Sequence, residues 1–100
     1  MIQEMDMRSY ISNRSENDIL VDMRDESTFQ FGTIPGAVNI TLDSIAKLYQ
    51  LPKDHDIYVF CQTGENSGEF VELLMDAGYN AFNLSGGYRE YLRMKIAEQK

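Results

Sequence analysis

The chain has 100 residues, 43% of them hydrophobic and 25% charged, with a formal net charge of −7 at pH 7. A domain of that size buries roughly two-thirds of its unfolded surface. The acidic balance gives no counterion-release gain on DNA or RNA, and no apolar run approaches the about 20 residues of a membrane span, so neither nucleic acid nor a membrane is expected as a partner.

Asp6 is placed to cap a helix carrying Met7, Tyr10 and Ile11 at helical spacing. Ile19-Leu20-Val21 reads as a short buried strand. Asp25 to Phe31 reads as a short helix or turn ended by Gly32, and Ala37 to Ile40 as a second strand. Ile45, Leu48 and Tyr49 mark a helix capped by Asp43 and stopped near Pro52. Ile57 to Phe60 is apolar on both faces, as a central parallel strand covered on each side must be. Phe70, Val71, Leu74 and Ala77 form a helical stripe, with Gly78 at the position after its end. Ala81 to Leu84 is the last strand. After Ser85-Gly86-Gly87, a helix with Tyr88, Tyr91, Leu92 and Ile96 frays over 98–100. Strands alternating with helices predict a single α/β domain over residues 1–100, with a small, mostly parallel sheet flanked by helices on both faces. Such sheets bind ligands beyond the carboxyl ends of their strands.

Cys61, the only cysteine, lies at such an end. A single cysteine excludes an internal disulfide and an all-cysteine metal cage. With no basic region followed by an apolar stretch at the N-terminus, the expected setting is reducing and cytoplasmic. The apolar run stops at the thiol, the loop Gln62-Thr63-Gly64-Glu65-Asn66-Ser67 follows, and a helical pattern begins. Backbone N–H groups and the helix dipole there favour an anion, so the thiol is expected to ionise readily to its reactive form. Successive N–H groups of the loop make an anion nest that needs no charged side chain. Ser67 either caps the helix or donates its hydroxyl to the sulfur. His55 lies in a polar loop at the opposite end of the strand, where it is badly placed to act as a base for Cys61. The acidic residues are scattered, so no metal site is expected.

Three segments then align. These are Val21-Asp22-Met23-Arg24 with Gly32-Thr33-Ile34-Pro35-Gly36-Ala37, the cysteine loop, and Leu84-Ser85-Gly86-Gly87-Tyr88-Arg89-Glu90-Tyr91. In order and spacing they resemble the rhodanese-like domain family of sulfurtransferases, from about Asp18 to Tyr91. The resemblance implies that Cys61 is catalytic and carries sulfur as a persulfide, and that Gln62, Thr63, Gly64, Glu65, Asn66 and Ser67 form the substrate-binding loop. No cofactor is implied. The family loop reads Cys-x-x-Gly-x-Arg-Ser/Thr; Cys61, Gly64 and Ser67 match it, while Asn66 replaces the arginine and Glu65 adds negative charge. Thr33 stands where the family often has histidine, and Tyr91 where it often has tryptophan. Asp22 and Arg24 either tie loops together or bring positive charge to the pocket, and Arg89 is either a pocket residue or a solvated one.

The expected partners are a sulfur donor, such as a persulfide, a polysulfide or thiosulfate, and a thiol acceptor, either of them small or carried on a protein. The missing loop arginine points away from thiosulfate. The alternative is a rhodanese-like module that binds or regulates without turnover. A cysteine phosphatase is disfavoured, because Ser67 stands where a Cys-x5-Arg phosphate loop needs arginine.

Overall fold

The computed structural model describes residues 1–99. Five strands form one all-parallel sheet: β1 (Gln3–Asp6), β2 (Ile19–Asp22), β3 (Val38–Asn39), β4 (Ile57–Phe60) and β5 (Ala81–Ser85). Their spatial order is β1-β5-β4-β2-β3. The helices are α1 (Met7–Asn13), α2 (Glu26–Phe31), α3 (Ser67–Asp76) and α4 (Gly87–Glu98), with a 3₁₀ segment at Leu42–Gln50.

β4 occupies the centre and is buried at every residue. Its period-2 alternation divides the core into two layers. Ile57 and Val59 pack with Val21, Leu48, Phe70, Val71 and Leu74 on one face. Tyr58 and Phe60 pack with Met7, Tyr10, Leu20, Leu84 and Tyr91 on the other. Tyr58 lies between Tyr10 and Phe82, with ring centroids at 4.7 and 5.0 Å.

Several predicted boundaries are reproduced. Asp6 caps α1, its carboxylate accepting from the Ser9 N–H at 2.7 Å. Gly78 follows the end of α3 with φ +93°, a left-handed conformation that glycine adopts without a Cβ penalty. The last helix runs through Glu98, so of its predicted frayed end only Gln99 lies beyond it here, and Lys100 is outside the described residues.

Two features differ from the sequence reading. Gln3–Asp6 is a strand where the sequence reading placed only the Asp6 cap; it is an edge strand paired with β5, from Gln3 opposite Phe82 to Asp6 opposite Ser85. Its polar residues sit on an edge, where one strand face stays in water. The segment after β3 is 3₁₀, capped by Thr41 rather than Asp43. The Thr41 N–H donates to Ser44 Oγ at 3.0 Å, closing a reciprocal box two residues before the expected Asp43 cap.

Candidate functional site around Cys61

The carboxyl ends of β4, β2 and β5 converge on one loop. Cys61 follows Phe60 directly, is 5% exposed, and enters the loop that leads into α3. The N–H of Gly64 donates to Cys61 Sγ at 3.1 Å. Gly64 has φ +93°, and an added Cβ would lie 3.0 Å from the Gly86 nitrogen, so both the turn and the close approach require glycine. Burial pushes the Cys61 thiol up. The hydroxyl and N–H of Ser67, together with the N–H groups of Thr63 and Asn66, outweigh that effect and hold the thiol below its ordinary value. All of these donors are uncharged.

Ser67 is the first residue of α3 and is fully buried. Its hydroxyl also donates to Asn83 Oδ1, so one proton faces two acceptors. The Asn66 side chain makes no capping bond. Gln62, Glu65 and Asn66 are exposed, and Thr63 and Gly64 are half-buried.

The start of α4 holds the loop from the other side. The N–H of Tyr88 donates to the Cys61 carbonyl at 2.9 Å, and the N–H of Arg89 to the Gln62 carbonyl at 3.0 Å. These are first-turn N–H groups that a helix leaves without internal partners. Gly87 has φ +60°, and an added Cβ would meet the Cys61 oxygen at 2.6 Å. Arg89 therefore enters the site through its backbone, while its side chain is exposed.

Arg24 is 8% exposed and Asp22 is fully buried. Their ion pair is bidentate, with Nη2 to Oδ2 at 2.7 Å and Nε to Oδ1 at 3.0 Å. Asp22 also accepts from the Thr33 hydroxyl at 2.7 Å, so the residue in the usual histidine position serves this carboxylate. Arg24 donates to the Gly32 carbonyl at 2.6 Å and reaches Gln62 Oε1 at 3.4 Å, with its guanidinium 4.0 Å from the Tyr88 ring centroid. The pair thus joins β2, the α2 exit, the cysteine loop and α4. Its positive charge faces Asp22 and touches the loop only through Gln62.

His55 bonds Asp54 at 2.8 Å in the loop before β4, at the far end of that strand from Cys61. Among the described residues no group of three or more His, Cys, Asp or Glu side chains is arranged to hold a metal ion, and no helix is long and apolar enough to cross a membrane. Two participants were not singled out from sequence: the N–H groups that open α4, and Asn83. Asn83 carried a visible signal, because it is a polar residue inside the apolar strand Ala81-Phe82-Asn83-Leu84, and buried polar groups take partners.

Comparison with known proteins identifies the family and the fold. The family model for the rhodanese-like domain matches residues 7–94. A sulfurtransferase of Allochromatium vinosum is 33% identical over 98 residues, covering 93% of this chain and 91% of that protein. The adenylyltransferase and sulfurtransferase UBA4 of Meyerozyma guilliermondii is 33% identical over 87 residues, covering 78% of this chain, which spans only 20% of that relative. The solved structure of a human single-domain sulfurtransferase superposes with a TM-score of 0.74 at 26% identity, covering 93% of this chain and 97% of that one. On the match along most of its length, together with the five-strand parallel sheet, this chain belongs to the rhodanese-like domain family.

Proposed function

We propose that the protein is a sulfurtransferase that carries sulfane sulfur as a persulfide on Cys61. The observation that carries this reading is the Gly64 N–H at 3.1 Å from Sγ, within a loop whose uncharged donors hold the thiol below its ordinary value. The sulfurtransferase of A. vinosum, matched along nearly its whole length, supports it.

Cys61 thiolate attacks the sulfane sulfur of the donor. A new Sγ–S bond forms, the donor's S–S bond breaks, and its electron pair leaves with the donor. An acceptor thiolate then attacks the outer sulfur, and Cys61 departs as thiolate. Both steps depend on the thiolate fraction and on the leaving group, and the same N–H groups stabilise Cys61 as attacking and as departing anion. No separate base is required. Gln62 to Ser67 form the substrate-binding loop, chiefly through their backbone. Asp22, Arg24 and Arg89 hold that loop in place.

The loop carries Glu65 and no cationic side chain, and the Arg24 guanidinium is paired with Asp22. A persulfide or polysulfide, free or on another protein, therefore suits the site better than thiosulfate, whose sulfonate is left without a cation. The same lack of charge favours a second reading, a module that binds without turnover. Intact-mass analysis of the reduced protein after separate exposure to polysulfide and thiosulfate decides between them, with Cys61→Ser as control. The expected result is one added reducible sulfur from polysulfide, little from thiosulfate and none on the control. No loading from either donor rejects the transferase and leaves the binding module.

A further inference from the structure

Strand β5 places Asn83, 3% exposed, on the α3 face of the sheet and against the Cys61 loop. Its amide reaches three groups on three segments. Nδ2 donates to the Gly64 carbonyl at 3.0 Å and to Glu4 Oε1, on β1, at 3.1 Å. Oδ1 accepts from the Ser67 hydroxyl. Both Nδ2 protons meet oxygens that carry no proton, so a flipped amide would set oxygen against oxygen twice; the partners determine the orientation. Oδ1 can only accept, and the single Ser67 proton therefore points to it. Gly64 is held from both sides, by its N–H on the sulfur and by its carbonyl on Asn83.

We propose that Asn83 is the positioning residue of the sulfur site, aiming the Gly64 N–H at Cys61 and holding the Ser67 hydroxyl ready to turn from Asn83 Oδ1 to Sγ when the sulfur becomes an anion. No covalent bond changes in that turn; the O–H rotates about the Cβ–Oγ bond, exchanging a neutral hydrogen bond for a charge-assisted one, which is the stronger kind. The inference rests on Cys61 being the sulfur carrier, and it gives that reading a device that acts only on the anionic states, thiolate and departing thiolate. A buried amide that only filled space or satisfied β5 would leave the ionisation of Cys61 alone.

The test is the pH profile of Cys61 alkylation by iodoacetamide, followed by intact mass, with a thermal melt to establish folding. In Asn83→Ala the midpoint is expected to rise by about one unit, a tenfold loss of thiolate at pH values below both midpoints. Ser67→Ala is expected to raise the midpoint in the parent protein and to raise it at least as much in the Asn83→Ala background, where the Ser67 proton no longer has Asn83 Oδ1 as a competing acceptor. If Asn83→Ala does not fold, Asn83→Ser is measured instead; it keeps an acceptor for Ser67, is too short for the Gly64 carbonyl, and is expected to shift the midpoint in the same direction. An unmoved midpoint in a folded variant overturns the proposal, whatever happens to the melt. Sulfur loading of the parent protein is read separately. A shifted profile in a parent that takes up no sulfur rejects the transferase and keeps the role of Asn83, whereas an unmoved profile in a parent that loads rejects only the role of Asn83.

Discussion

At Cys61 two effects oppose each other. Burial disfavours the anion, and the Ser67 hydroxyl with the N–H groups of Ser67, Thr63 and Asn66 favours it; the hydrogen bonds prevail. The sign follows for an acid. A folded-state value below the unfolded one means that the thiolate appears at lower pH than in a free cysteine. The alkylation rate of the parent protein is therefore expected to rise through a midpoint below that of a small thiol and to flatten above it. By linkage, folding gains stability as pH rises from that midpoint to the unfolded value, and loses the gain as pH falls back through it. An alkylation midpoint at or above the small-thiol value would mean that burial wins. The residue-level signal in the sequence was a thiol between an apolar strand and a glycine loop. It said nothing of Ser67 facing two acceptors, because Asn83 lies sixteen positions further along.

Among the elements, the contact between the α4 start and the cysteine loop decides the shape of the site. α3 follows the loop in sequence and was legible as its continuation. α4 begins more than twenty residues after Cys61, yet its first-turn N–H groups bond the Cys61 and Gln62 carbonyls. The Gly86-Gly87 pair was readable as a tight turn with close backbone approach, though what it approached was not. In Gly87→Ala the new Cβ meets backbone of Cys61 and Gln62, which cannot move aside as a flexible side chain can. Together with the positive φ, the change is expected to cost about 1–3 kcal/mol in urea unfolding and to slow Cys61 alkylation. A stability loss with unchanged alkylation would show that the loop holds its shape without α4. β1 was missed at this scale for a related reason: its four residues carry three polar side chains, and its only partner, β5, lies about eighty positions away in the chain.

For the molecule as a whole, the net charge of −7 sets a repulsive field for anionic donors. Nothing in the loop offsets it locally with a cationic side chain. Salt screens such repulsion, with a Debye length of about 8 Å at physiological ionic strength. Loading by thiosulfate is therefore expected to speed up as sodium chloride is raised, while loading by an uncharged organic trisulfide stays nearly constant. A thiosulfate rate that falls with salt would reveal a net positive approach to Cys61 and would remove the electrostatic argument against that donor.

The chain order of strands and helices from α1 onward, the central place of Ile57 to Phe60 and the end of that strand as the site of Cys61 were all determined by local pattern. Continuous apolar runs, helical stripes and glycines after helix ends act over a few residues and need no distant partner. Only the tertiary structure decided that Gln3–Asp6 is a strand, that Thr33 serves Asp22, that Arg24 is bonded to the α2 exit, and that Asn83 and the α4 start grip the sulfur loop. Each of these is a hydrogen bond or ion pair whose partner is supplied by the fold. A polar residue's need for a partner is written in its side chain, while the identity of that partner depends on which segments the sheet brings side by side.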